Sequence, residues 1–385
     1  DTDRAAVNLI INKNGASSTS GTTYNLAAAE DWAAGAPKND VIADSATGIN
    51  VSNVATPTIA SATYDINAGI LTVTGTGFLT LHGPTNDIDV SKFMFTGEGG
   101  STYTLLNSTD VDLTSGTTFT VTLSALDKAA VNLIINNAGT SSTGGTTYNL
   151  AAAEDWAAGA DTAVTVADTT TGITAVSPAV PTITSAAYNA STGILAVTGT
   201  GFVSKSGNNN DIAISLLTIT GEGNATHTLS SGNVDITSST AFSITLNSTD
   251  QAAVNQIINK NGTSSTGGAI YNLAAAEDWA LGANTTLTIA DTTGNGVDAS
   301  NIAVPAITSA SYDANTGSLT VTGTGFLKLN GTANDIVATK LTFTGEGGNS
   351  HTLTNSANVD ITNGTAFTIL LSATDKAAVN QIINK

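Results

Sequence analysis

The hydrophobic and polar positions of this 385-residue chain follow two rhythms. Leu71-Thr72-Val73 and Phe119-Thr120-Val121-Thr122-Leu123 alternate with a period of two, which predicts strands with one buried face. Their Thr, Val and Phe residues suit a pleated, half-covered surface. Val7, Ile10 and Ile11 instead fall at i, i+3 and i+4, so residues 3–14 are expected to be helical. In the related stretches Ser124, Asn247 and Ser372 stand three residues before Asp127, Asp250 and Asp375. This resembles a capping box with Asp in place of Glu or Gln. Gly15, Gly139 and Gly262 supply the stop. After a Ser/Thr/Gly loop, the stretch from Tyr24 to Gly35 predicts a second helix. Asn25 would cap it, the alanine run would build it and Gly35 would end it, with copies starting at Tyr148 and Tyr271. Trp32, Trp156 and Trp279 sit only in this stretch and are expected to anchor the helix on a sheet.

The pattern recurs. Leu71 to Phe78 reads LTVTGTGF, Leu195 to Phe202 reads LAVTGTGF, and Leu319 to Phe326 repeats the first. Phe78, Phe202 and Phe326 are spaced by 124 positions. A period this long implies units that bury their own cores rather than the stacked turns of a solenoid. With turn residues between short strands, the expected fold is mainly β: tandem immunoglobulin-like antiparallel sandwiches, each carrying a small two-helix insert. Pro57, Pro181 and Pro305 stand near the starts of the units. The expected division is 54–177 and 178–301 as repeats, 1–53 as the late part of a preceding one, and 302–385 as the early part of a following one. Both ends of the chain lie at the same phase of the repeat, as in a window from a longer array.

Composition narrows the function classes. Acids outnumber bases 30 to 11, for a net charge of −19, which disfavours nucleic acid and anionic membranes as partners. The absence of cysteine excludes a disulfide framework, a thiolate metal site and a cysteine nucleophile. No apolar run is long enough for a transmembrane helix, and the first residues are not a signal peptide.

The stretch from Pro57 through Gly69 to the LTVTGTGF motif resembles the opening of an immunoglobulin-like domain of the IPT/TIG type. With its TYNLAAAEDW segment, the whole unit resembles the tandem repeats of giant bacterial surface adhesins of the RTX, hemolysin-type class. That resemblance implies an extracellular extender or filament body, often calcium-binding. The ligand-rich nonapeptide of true RTX repeats is absent, and Asp291-Thr292-Thr293-Gly294-Asn295-Gly296 only hints at it.

Several acids recur in phase and are candidate calcium ligands, since calcium prefers carboxylates on flexible turns. They are Asp87, Asp211 and Asp335 in the Asn-Asp-Ile turns, Glu98, Glu222 and Glu346 in the Gly-Glu-Gly turns, and Asp44, Asp168 and Asp291 near the expected junctions. Asp112, Asp235 and Asp360 form a further in-phase set. The competing reading is that each acid caps its own turn. Catalysis has little support. Of the three histidines, His227 and His351 are in phase, with Tyr103 at that place in the first copy, and His82 stands alone in its loop; the histidines are expected to be strand surface residues. The Glu30-Asp31 pair is read as one face of the second helix rather than as a glycosidase pair. Trp156, Tyr148 and Phe202 are the expected packing anchors. The chain is therefore expected to be a non-enzymatic structural array, exposed on a bacterial cell surface or in an extracellular filament. Its partners would be neighbouring repeats or copies of itself in a head-to-tail fibre. The rival class is a module whose Thr-rich strands bind glycans or ice.

Overall fold

Alternating strands need partners, and in the computed structural model, which describes residues 2–383, most find them in antiparallel sheets. The chain is mostly β and sandwich-like, and its described residues include four short α-helices: α1 (Thr2–Ile10), α2 (Ala125–Ile134), α3 (Ser248–Ile257) and α4 (Ala373–Ile382). The last residues of the 302–385 segment and residue 1 lie outside the described residues.

The chain forms two compact units. The first comprises Asp1–Ala179 with the short stretches Val203–Gly207 and Gly282–Asn284. Its main sheet has seven strands, in the spatial order Thr102–Thr104, Phe93–Thr96, Asn149–Ala152, Asp168–Val176, Thr58–Asp65, Ile70–Thr76, Thr118–Thr122. The strand Asp168–Val176 serves two neighbours. Its early residues pair antiparallel with Asn149–Ala152, and its later ones run parallel to Thr58–Asp65 (Ala62 opposite Ile173, Tyr64 opposite Ala175). A strand that changes partners in this way turns a corner, so one continuous sheet wraps both sides of a core. That core holds Tyr64, Phe78, Phe93, Phe95, Phe119, Tyr148 and Trp156, all essentially buried.

The second unit comprises Val180–Phe202, Asn208–Leu281 and Thr285–Lys385. It repeats the design with a five-stranded sheet around Thr182–Asn189 and a three-stranded sheet in which Leu217–Thr220 lies between Thr226–Thr228 and Asn272–Ala275. Val297–Ser300 again lies parallel to the first strand, with Ala186 opposite Val297. Farther on, Ala306–Asp313, Ser318–Thr324, Ala366–Leu370 and Ile361–Asn363 form a four-stranded sheet over a smaller core that includes Phe326 and Phe367.

The recurring Gly-Thr-Gly has a steric cause. At Gly75 the strand passes so close to Thr58 that a Cβ would lie 2.0 Å from its carbonyl oxygen and 2.6 Å from the Phe78 ring. Gly199 and Gly323 meet the same obstacle. Only glycine lets the bulged strand pair close while the phenylalanine folds back over it.

The predicted second helix is not formed. Asn25–Ala28, Asn149–Ala152 and Asn272–Ala275 are β-strands. In the two later copies Leu150, Ala152, Leu273 and Ala275 point inward and their neighbours do not, which is the period-two pattern of a strand. Pairing with Phe93–Thr96 or Leu217–Thr220 satisfies more backbone groups than a two-turn alanine helix could, so tertiary context overrides propensity. The fold is thus a β-sandwich-like one with a single helix inserted per copy.

Candidate functional site

The strongest polar sites are built where helices begin. Ser124 accepts from the Asp127 amide at 3.1 Å, and Asn247 and Ser372 do the same for Asp250 and Asp375. The expected capping pattern is present, but the aspartate does not close it directly. A second serine stands between: the Ser124 amide donates to Ser108 Oγ at 2.9 Å, and that hydroxyl donates to the Asp127 carboxylate at 2.6 Å. Ser231 relays Asn247 to Asp250 in the same way, and Ser356 relays Ser372 to Asp375. All three aspartates are fully buried.

Each of these carboxylates is surrounded by donors. Asp250 accepts from the Ser230 and Ser231 amides at 2.8 and 2.7 Å, from both serine hydroxyls, and faces His227 Nε2 at 2.9 Å. His351 makes the same contact with Asp375, and Tyr103 Oη replaces the histidine on Asp127, also at 2.9 Å. The in-phase Tyr103, His227 and His351 lie in short strands and are half-buried partners of one recurring acid. Burial opposes ionisation, but the hydrogen bonds from Ser108, Asn107 and Tyr103 outweigh it and hold Asp127 at about 2. For Asp250 the bonds from Ser231, His227 and Ser230 do likewise, again at about 2. Asp375 is lowered further, with His351 and Ser356 as the leading donors against the cost of burial. In a nucleophilic triad the histidine stands between serine and aspartate. Here the aspartate stands between serine and histidine, so the serine is an anchored hydroxyl and not an activated one.

The Gly-Glu-Gly acids form a second recurring site. Glu98 is buried, and its carboxylate accepts from Gly144 N at 2.9 Å, Asn136 Nδ2 at 3.0 Å and Ser206 N at 3.2 Å. Glu222 accepts from Gly267 N at 2.8 Å, Asn259 Nδ2 at 3.0 Å and Asn330 N at 3.1 Å. Burial opposes ionisation of both, and the backbone and Asn donors outweigh it, so both sit below the ordinary glutamate range. Asn136 and Asn259 also donate to the carbonyls of Ser204 and Lys328, each at 2.6 Å. Asn12 does the same to Thr80. Glu346, the third copy, is exposed.

The remaining candidates clamp turns. Asp87 accepts from Leu81 N at 2.6 Å and Leu113 N at 2.7 Å, and Asp335 from Leu329 N and Ile361 N at 2.7 and 3.0 Å. Asp211 accepts from Ile236 N. Desolvation raises the Asp87 carboxyl despite its amide donors. Asp112 and Asp360 accept from Asn86 N and Asn334 N. Asp44 and Asp168 bond the amides two residues on, and Asp291 bonds Asn295 Nδ2 and Ile183 N.

Calcium requires six to eight converging oxygens. Among the described residues no three His, Cys, Asp or Glu side chains are grouped to hold a metal ion. Most of the candidate carboxylates accept from N–H donors.

Glu30, Glu154 and Glu277, read from sequence as helix residues, lie in turns and bond the amides of Ile42, Val166 and Ile289. The neighbouring Asp31, Asp155 and Asp278 take left-handed backbone angles. The tryptophans follow the strand rather than riding on a helix. Trp156 donates to the Val166 carbonyl and packs on Phe78, Phe93 and Phe119 at ring distances of 5.7–6.1 Å. Trp279 packs on Phe202 and Phe242. Both are wholly buried, whereas Trp32 is 63% exposed.

Each unit also has a shallow groove at corresponding positions. One, of about 330 Å³, runs past Asn255, Gln256, Ile302 and Phe326. Its counterpart in the first unit, of about 360 Å³, runs past Asn8, Leu9, Val54 and Phe78.

No protein-family model matches this chain, and no curated protein does. Among solved structures it is similar to the Bacteroides ovatus mixed-linkage glucan utilization locus protein SGBP-B, in complex with a mixed-linkage heptasaccharide. The identity is 12%, over 96% of this chain and 83% of that one, with a TM-score of 0.18. It is also similar to a marsupial T cell receptor, at 10% identity over 83% of this chain and 93% of that one, with a TM-score of 0.17. Superpositions this loose carry no argument about activity. Among the described residues no helix is long and apolar enough to cross a membrane.

Proposed function

We propose that this chain is the structural body of a bacterial cell-surface adhesin or extracellular filament. It acts as an extender made of immunoglobulin-like repeats, without enzymatic activity. One observation carries the reading. The Glu98 network is built again at Glu222, and each draws a hydrogen bond from an amide 108 residues farther along the chain. Sites of this kind hold one copy of the sequence motif to the next. The buried acids are used to hold loops and helix starts in place, which suits a protein whose task is to keep its form. The test is immunogold microscopy of the source cells with an antibody against this chain. Label along extracellular fibres or the outer surface is expected; label confined to the cell interior refutes the proposal.

The paired grooves support a second reading. The apolar wall of the groove past Ile302 and Phe326, edged by the Asn255 and Gln256 amides, and the more polar lining of its counterpart are chemistry that accepts a hydroxylated ligand such as a glycan. A glycan array separates the two: saturable binding, lost on substitution of Asn255 and Gln256, favours the binding module, and uniform silence favours the extender.

A further inference from the structure

The turn before each Asn-Asp-Ile requires a glycine. Gly331 has φ +116°, and a Cβ there would lie 2.6 Å from Asn334 Nδ2. Gly83 and Gly207 hold the same place in the earlier copies, at φ +126° and +120°. The residue before the glycine varies: His82, Ser206, then Asn330. The third copy thus sets an asparagine carboxamide beside a glycine that the turn cannot exchange.

An asparagine before glycine can cyclise. The glycine amide nitrogen, once it has lost its proton, attacks the side-chain carbon Cγ. A bond forms from Cγ to the backbone nitrogen, the bond to the side-chain nitrogen breaks, and that nitrogen leaves as ammonia. Water then opens the succinimide to aspartate or isoaspartate. The reaction consumes water alone, but it needs a free backbone N–H and an untethered carboxamide.

The chain has five Asn-Gly pairs, and the structure separates them. At Asn14 and Asn261 the glycine amide is committed to a β-bridge: Gly15 N donates to the Val51 carbonyl at 2.9 Å and Gly262 N to that of Ala299 at 2.8 Å. Both side chains are tethered as well, accepting from Val54 N and Ile302 N at 3.0 Å. Asn295 is buried, and its Nδ2 donates to the Leu273 carbonyl and to Asp291 Oδ1. Asn363 Oδ1 accepts from both the amide and the hydroxyl of Thr365. Asn330 and Gly331 differ. Both are exposed, and among the described residues neither the Asn330 carboxamide nor the Gly331 amide has a hydrogen-bond partner. The peptide that joins them is polarised instead. Its carbonyl accepts from Asn334 Nδ2 at 2.7 Å, which draws electron density from the shared nitrogen and makes the Gly331 N–H a better acid.

We propose that Asn330-Gly331 is a self-modifying site, at which the folded chain loses ammonia and gains a carboxylate. The consequence falls on the tie to Glu222. The Asn330 amide donates to Glu222 Oε1 at 3.1 Å, and the Asn330 carboxamide lies against Gly223, where a Cβ would come within 2.4 Å of its Cγ. A carboxylate formed there is a like-charge neighbour of Glu222. The isoaspartate product also adds a methylene to the main chain at the residue that makes the tie. Either product loosens it. The site goes beyond the extender reading and does not depend on it.

The test is peptide mapping by mass spectrometry of the full chain aged at mildly alkaline pH, once folded and once in urea. In the folded chain the amide-to-acid mass gain is expected at Asn330 at least ~10-fold faster than at Asn14 or Asn261, the rate equivalent of the one or two hydrogen bonds those sites must first give up. In urea all the pairs are expected to react at similar rates. Asn330→Ser, which installs the residue of the preceding copy, should abolish the change there and melt like wild type. Asn330→Asp, a direct product of the reaction, should melt lower than Asn330→Ser. An Asn330 that reacts as slowly as Asn261 in the folded chain overturns the proposal. Equal melts for Asn330→Asp and Asn330→Ser overturn the loosening of the Glu222 tie.

Discussion

Replacing Asp250 by alanine removes the acceptor from five hydrogen-bond contacts at a fully buried position. The Ser230 and Ser231 amides cannot turn away, and each unsatisfied buried donor costs about 1–3 kcal/mol. With the loss of the relay to the Asn247 amide, the expected destabilisation is about 3–5 kcal/mol. The charge contributes a defined part. This carboxyl titrates at about 2 in the folded chain, against an ordinary value of 3.8. At 1.36 kcal/mol per pH unit, that difference supplies about 2 kcal/mol of stability at neutral pH. Because the folded value is the lower one, this stability is complete above about pH 4 and is lost as pH falls towards 2. Asp250→Asn should remove that pH dependence. Urea unfolding followed by the fluorescence of Trp279, in the same unit, reads both effects. A loss below about 1 kcal/mol for Asp250→Ala at pH 7, or an unchanged acid slope for Asp250→Asn, would refute the reasoning.

Three further outcomes follow from the packing. Trp156→Ala should cost about 3–5 kcal/mol in chemical denaturation, and Trp32→Ala less than about 0.5 kcal/mol in dilute solution, because one side chain is enclosed by three rings and the other is in solvent. Gly144→Ala would place a Cβ 2.0 Å from Glu98 Oε1, so it should displace the carboxylate and lower stability by about 1–3 kcal/mol, read as a lower melting temperature; the same change at Gly172, which has open space around its Cβ position and no left-handed backbone angle, should leave Glu98 and the melting temperature nearly undisturbed. Chelator and millimolar calcium should leave the melting temperature unchanged within error, since the in-phase acids already accept from N–H groups; a calcium-dependent rise would show that their oxygens rearrange to bind the ion.

Local chemistry made part of this legible in advance. Ser124 with Asp127, and the stripe that starts at Val7 and Ile10, mark helices because a cap and a 3.6-residue period act over one or two turns, although the first helix ends at Ile10 and not at residue 14. The alanine run misled for a physical reason. Its intrinsic preference is small, and the neighbours that overrule it, Phe93–Thr96 in one copy and Leu217–Thr220 in the next, are more than fifty residues away. Glu98 shows the same limit at the site level. Its recurrence was visible, but its partners Asn136, Gly144 and Ser206 lie 38, 46 and 108 residues onward, beyond what spacing can reveal. The role of Tyr103, His227 and His351 was hidden because two chemistries fill one place; only the shared aspartate unites them.

The parallel pairing of the first and last strands of a unit has a consequence in time. The Ser177 hydroxyl reaches Asp65 across 112 residues, and Tyr64 waits for Ala175 before its strand is closed on that side. During synthesis at ~5–20 residues per second, the opening strand stands without that neighbour for roughly 6–20 s. Through that interval the unit has a late-arriving clasp rather than a finished fold. A chain made of such units therefore closes in sequence, each unit behind the one before it, and the edge waiting for its strand is always the newest one.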